Sequence, residues 1–186
     1  MGGPRVFGTA EVDAKQFKRL MVELEGITDE KRQRSVLSNA GKASMMVLRD
    51  ETIRGYQKAG SKLRAGGGSF LSGLTAKGSY SLGKTQRRRG GGGFDFLSWI
   101  NFKRPGNRLV HLFDLGFTPG GGGLKRGGGR RRRRRPIPGW NVRRRAMAVK
   151  SAEIERVFFN AARVLIDLGK KQKPSVSKLR SMGGGG

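Results

Sequence analysis

The chain has 186 residues, 35% of them hydrophobic, and sets 40 Lys and Arg against 13 Asp and Glu, a formal net charge of +27. That length suits one domain, the apolar fraction excludes a wholly disordered basic tail, and the charge makes the chain repel itself unless nucleic acid, acidic protein or a neighbouring subunit compensates. Cysteine is absent, which excludes disulfides, thiol chemistry and cysteine-based zinc sites, and no apolar run approaches the roughly 18 residues that span a bilayer.

The N-terminal stretch "MGGPRVFGTAEVD" lacks the apolar segment of a signal peptide, so a soluble protein with no membrane partner is expected. The first helix is predicted from Ala14. Asp13 is placed to cap it, Gln16 completes a capping box, and Val12 with Phe17 occupy the staple positions. Phe17, Leu20, Met21 and Leu24 recur at helical spacing, and Gly26 supplies the stop. A second, longer helix is predicted from Thr28 or Asp29 to about Tyr56, with Val36, Ala40, Ala43 and Val47 in one stripe. Its small residues Ala40, Gly41, Ala43 and Ser44 suit the close approach of another backbone.

From Ser61 to Gly139 the texture changes to recurrent glycine runs with no helical signal. The four-residue runs resemble filler or linker sequence and carry no positional signal. Between the runs "FDFLSWINF" and "RLVHLFDL" read as strands, joined through the turn "KRPGN" as a hairpin, and "FLSGLTAKGSYSL" adds a weaker strand. The window from Lys84 to Arg145 holds 18 Lys and Arg against Asp95 and Asp114 alone, so it carries +16 of the +27.

The last helix is predicted from near Asn141 to Leu168, with Met147, Ile154, Phe158, Ala161, Leu165 and Leu168 on one face and Gly169 as the stop. These elements give an expected α+β fold, a small antiparallel sheet packed against a long helix and a C-terminal helix, with long Gly/Arg-rich loops. Residues 1–169 form the domain, its basic loops at about 84–93 and 117–137, and residues 170–186 form a flexible basic tail.

No catalytic, metal or cofactor site is expected. His111 is the one histidine, and Asp114 lies three residues on, so on a strand the two side chains point to opposite faces and make no dyad. One histidine and scattered acids match no metal-ligand spacing. The run "GGGGLKRGGG" lacks the Gly-Lys-Ser/Thr ending of a phosphate loop. The adjacent arginines Arg130, Arg131, Arg132, Arg133, Arg134 and Arg135, with Arg87, Arg88 and Arg89 as companions, repel one another and must be solvated, paired with acidic protein or laid on phosphates. They are the candidate contacts for DNA or an acidic partner. No base-reading motif accompanies them.

Local sequence and order together carry a resemblance. A helix ending in glycine is succeeded by "SVLSNAGKASMMVLRDETIRGY", then "GSKLR", then "HLFDLGF", and finally "RPIPGWNVRRRAM" leading into the last helix. In that order the segments resemble the neck or tail-completion (head-tail joining) family of tailed bacteriophages, from about Val12 to Leu168. "HLFDLGF" is similar to the family's aliphatic, acidic, glycine landmark, with Asp114 and Gly116 in the matching places. Phe117 stands where the family usually has Thr, and Gly139-Trp140 where Pro-Phe is common.

The resemblance implies an α+β subunit of a hexameric ring at the virion's head-tail joint, assembled in the host cytoplasm, through which double-stranded DNA passes. It places Asp114, Gly116 and Trp140 at a subunit or partner contact. The implied partners are copies of the chain itself, the adjacent head-connector and tail-tube or terminator proteins, and genomic DNA through non-specific contact. Strong lumen binding would impede DNA movement, which favours an acidic protein partner for the arginine runs. A general nucleic-acid-binding protein of ribosomal or nucleoid type is the second reading. An enzyme acting on nucleic acid is the third, and requires clustered carboxylates that the sequence does not display.

Overall fold

The computed structural model describes residues 14–60, 74–88, 94–102, 114–117, 137–169 and 174–184. Helix α1 (Ala14–Glu25) turns over at Gly26, where the Ile27 amide donates to the Leu24 carbonyl at 2.9 Å. Leu20 and Leu24 are buried as the spacing requires, but Phe17 is more than a third exposed. The side-chain amide of Gln33 then donates to the carbonyls of Leu24 and Ile27 at 3.0 and 2.7 Å, which satisfies two acceptors left open at the helix end and pins α1 to the next helix.

Helix α2 (Glu30–Gly60) begins where Asp29 accepts from the amides of Lys31 and Arg32 at 3.0 and 3.3 Å. It runs one turn beyond the expected end at Tyr56. Between Val36 and Leu48 buried residues occur around most of its circumference, so it is the central element. Ser44 and Thr52, buried within it, donate to the carbonyls of Gly41 and Leu48, so neither hydroxyl is stranded in the core.

Helix α3 (Val142–Asp167) packs antiparallel along α2. At one end the Arg32 guanidinium reaches the Ile166 carbonyl at 3.0 Å; at the other Gly55 faces Val142 so closely that a Cβ there would stand 2.5 Å from Val142 Cγ1. Gly169, with φ +67°, ends α3 as a left-handed stop.

The expected flexible tail from Lys170 is corrected by a fourth helix, α4 (Val176–Gly184). The Ser175 hydroxyl accepts from the Lys178 amide at 3.2 Å and caps it. Leu179 is fully buried, Arg180 pairs with Asp50 on α2, and Asn160 of α3 donates to the Gly183 carbonyl at 3.1 Å.

The α+β expectation is overturned: the described chain is predominantly α-helical. Every buried residue of the main core lies on or beside the four helices, including Leu20, Leu24, Val36, Ala40, Val47, Ile154, Phe159, Leu165 and Leu179. The stripe expected to bury Phe158 instead buries its neighbour Phe159, and the two rings meet edge-on at 5.5 Å. With helices already covering the centre of α2, no sheet layer is needed to bury it.

Extended structure is confined, among the described residues, to two narrow antiparallel pairs. Strands β1 (Tyr80–Arg88) and β2 (Phe94–Phe102) pair from Tyr80↔Phe102 to Arg88↔Phe94, and β3 (Gly116–Phe117) pairs with β4 (Ile137–Pro138). The predicted hairpin between "FDFLSWINF" and "RLVHLFDL" is therefore also corrected. β2 takes the preceding segment as its partner, and Asp114–Leu115 are helical rather than extended. At the root of β1, Tyr80 is buried with Ile53, Tyr56, Leu74 and Val142 in a second, smaller core at the end of α2.

Candidate interaction surface

The start of α3 is held by a residue far away in sequence. Asn141 precedes the helix in a left-handed conformation, φ 52°, and its side chain does not cap it. Asp114 does so instead. One carboxylate oxygen accepts from the amides of Val142 and Arg143 at 2.7 and 3.4 Å, the other from Arg143 Nε at 2.7 Å, and the Asp114 carbonyl accepts from the Asn141 amide at 2.9 Å. A carboxylate at a helix N-terminus also meets the positive end of the peptide dipoles.

Glycines make this crossing possible. A Cβ on Gly139 would stand 2.5 Å from both the Asp114 carbonyl oxygen and the Leu115 carbonyl carbon, and 2.7 Å from the Gly116 amide nitrogen. Gly116 itself has φ +80°, a conformation that a side chain opposes. The β3–β4 pairing then fixes Phe117 opposite Ile137.

Two tyrosines complete the buried polar cluster. Burial pushes the Tyr56 phenol well above its ordinary range, and the negative Asp114 adds to the effect while Arg143 opposes it. Tyr80 is raised for the same first reason, and its hydroxyl donates to the Leu74 carbonyl at 2.6 Å. Both phenols therefore stay protonated at neutral pH. With its carboxylate occupied by Arg143 and the helix amides, Asp114 is committed to holding the fold together rather than to proton transfer.

Beside the cluster lies an open groove of about 500 Å³ between the end of α2 and the start of α3. Trp140 forms part of its wall and tilts against Tyr56, ring centroids 6.3 Å apart. Gly55, Ala59 and Val142 contribute apolar surface, and Val149, 71% exposed, stands at its edge. Lys58 and Arg145 bring positive charge to the same groove.

Of the residues singled out in the sequence, Asp114, Gly116 and Trp140 thus come together at one end of the helical body. Asp114 is only 4% exposed, so the expectation that its carboxylate meets a neighbouring subunit or partner is corrected: its arginine is Arg143 of the same chain. The nine arginines expected to contact DNA or an acidic partner are not brought to this place. Arg87 and Arg88 lie at the far end of β1. Arg89 falls outside the described residues, as do Arg130, Arg131, Arg132, Arg133, Arg134 and Arg135, and so does His111. Arg143, Tyr56, Gly139, Lys58, Arg145 and Val149 are not legible as site residues in the sequence. Among the described residues no group of acidic or histidine side chains is arranged to hold a metal ion, and no helix is long and apolar enough to cross a membrane.

No family model, curated protein or solved structure matches the chain.

Proposed function

We propose that the chain is a structural subunit of the bacteriophage head-tail joint, building a ring through which double-stranded DNA passes and meeting the adjacent connector and tail-tube or terminator proteins. One observation carries the reading. The acidic-glycine landmark "HLFDLGF" and the "RPIPGW" lead-in, the two segments on which the resemblance most depends, join at a single place: Asp114 seats the first turn of α3 and β3 pairs with β4. Their order in the chain therefore has a physical reason, because each is needed to position the other. The groove beside them offers a contact surface for a neighbouring subunit, as a ring requires.

A second reading, a general nucleic-acid-binding protein, is favoured by the +27 charge and the concentration of arginine between Lys84 and Arg145. Native mass spectrometry of the purified full chain, with negative-stain images, separates the two. Closed rings of uniform copy number support the joint protein. A monomer at every concentration tested, binding any duplex with steep salt dependence, would replace it with the second reading.

A further inference from the structure

The two most exposed large hydrophobic residues in the described structure are Val149, 71% exposed, and Val22, 68% exposed, and they lie on different elements in opposite electrostatic surroundings. Val149 edges the groove that contains Lys58 and Arg145. Val22 lies in the second half of α1, within the stretch "VELEGITDE" from Val22 to Glu30, which holds four carboxylates and no Lys or Arg in a chain of net +27. Asp29 is occupied in capping α2, and Glu30 pairs with Arg34 at 2.7 Å. Of the next bases along the chain, Arg32 is directed to the Ile166 carbonyl. Glu23 and Glu25 are exposed beside Val22.

These surfaces cannot serve one another within one molecule. α1 is tied to the start of α2 through Gln33, whereas the groove begins at Glu51 on the same helix. At 1.5 Å per residue the separation along a straight helix is on the order of 25 Å. An acidic knob with an apolar centre at one end, and a basic groove with an apolar edge at the other, complement each other only between copies. A contact between two different patches is heterologous, and repeating it gives a ring when the rotation closes.

Resting on the reading of the chain as a ring subunit, we infer that the second half of α1 of one copy, led by Val22, seats in the α2–α3 groove of the next, with Glu23 and Glu25 meeting Lys58 and Arg145. The occupant of the groove is thus a second copy of this chain. Each junction pairs carboxylates with bases and offsets part of the repulsion between strongly cationic subunits.

Charge reversal tests the contact in the full chain. One variant carries Glu23→Lys and Glu25→Lys, the other Lys58→Glu and Arg145→Glu. All four side chains are exposed, so unchanged thermal unfolding is expected of both. Sedimentation velocity at about 0.1 M salt, where exposed charges still act over roughly 10 Å, should show wild-type rings and at least tenfold weaker assembly of each variant alone. Mixed in equal amounts, the variants should assemble again, because each reversed knob then finds a reversed groove. Wild-type rings that persist in both variants, or a mixture that fails to assemble, would overturn this contact and leave the ring reading standing. A wild-type chain that is monomeric throughout would remove both.

A second measurement does not depend on charge. The chain has no cysteine, so Val22→Cys combined with Val149→Cys creates the only two thiols. A short bis-maleimide should link them between copies into a ladder of multimers on a denaturing gel. Assembled protein that gives no ladder would also overturn the contact.

Discussion

The guanidinium of Arg143 lies 2.7 Å from the carboxylate of Asp114 although 29 residues separate them, and both side chains are largely buried. The pair ties the segment before β3 to the first turn of α3, and the same carboxylate accepts from the helix amides. Removing one member leaves a buried charge and an uncapped helix together. Asp114→Ala should therefore cost about 3 to 5 kcal/mol of unfolding free energy. Chemical denaturation checks this, and an unchanged midpoint would remove the anchoring role.

Phe159, rather than its neighbour, fills the core. Phe159→Ala should cost about 3 to 5 kcal/mol, whereas Phe158→Ala, at a partly buried site, should cost clearly less. Urea titrations of the two variants give the comparison directly. Equal losses would mean that the two rings share the burial.

The close approach at Gly55 makes a coupled prediction. Gly55→Ala places a methyl group 2.5 Å from Val142 Cγ1 and should destabilise despite the better helix propensity of alanine. Shrinking the partner with Val142→Ala should recover part of that loss in the double variant. At Gly139 the obstructing atoms are backbone, so Gly139→Ala should be harmful with no such rescue. Additive effects at the Gly55–Val142 pair would contradict the crowding.

Asp50 governs an acid response. Its burial alone would raise the carboxyl, but hydrogen bonds from Arg49 and Arg180 outweigh that and hold it below the ordinary value of 3.8. A group depressed in the folded state contributes stability that is present above its unfolded value and is lost as pH falls through the folded one. Stability should therefore decline as the pH drops below about 4, with the α4 contact weakening, and Asp50→Asn should flatten that part of the profile. Thermal unfolding measured from about pH 6 down to about pH 2.5, across the ordinary carboxylate range, tests the response.

The helices are legible because their signals are local. Asp29 caps α2, Gly26 ends α1 and Gly169 ends α3, all as their residue types and positions imply. Partner choice cannot be read locally. "FDFLSWINF" announces a strand, but nothing in its own residues says that "YSLGKTQRR" will pair with it. Helix α4 carries a weaker local signal: Pro174 and Ser175 precede Val176, Leu179 and Met182 at steps of three, yet the surrounding lysines read as solvated tail. Asp114 and Trp140 stand out in the sequence, but the work Asp114 does is hidden there. A carboxylate that caps a helix 28 residues downstream leaves no mark on the sequence around it.

The pairing of Phe117 with Ile137 means that the chain departs and returns at one point. Closing such a segment costs entropy that grows only with the logarithm of its length, about 0.6 kcal/mol for each doubling. The stretch between these residues is thus an exchangeable cassette. Arginines can be added, deleted or replaced by an unrelated peptide while the helical scaffold keeps its register, so the charge that this protein presents is open to revision without a new fold.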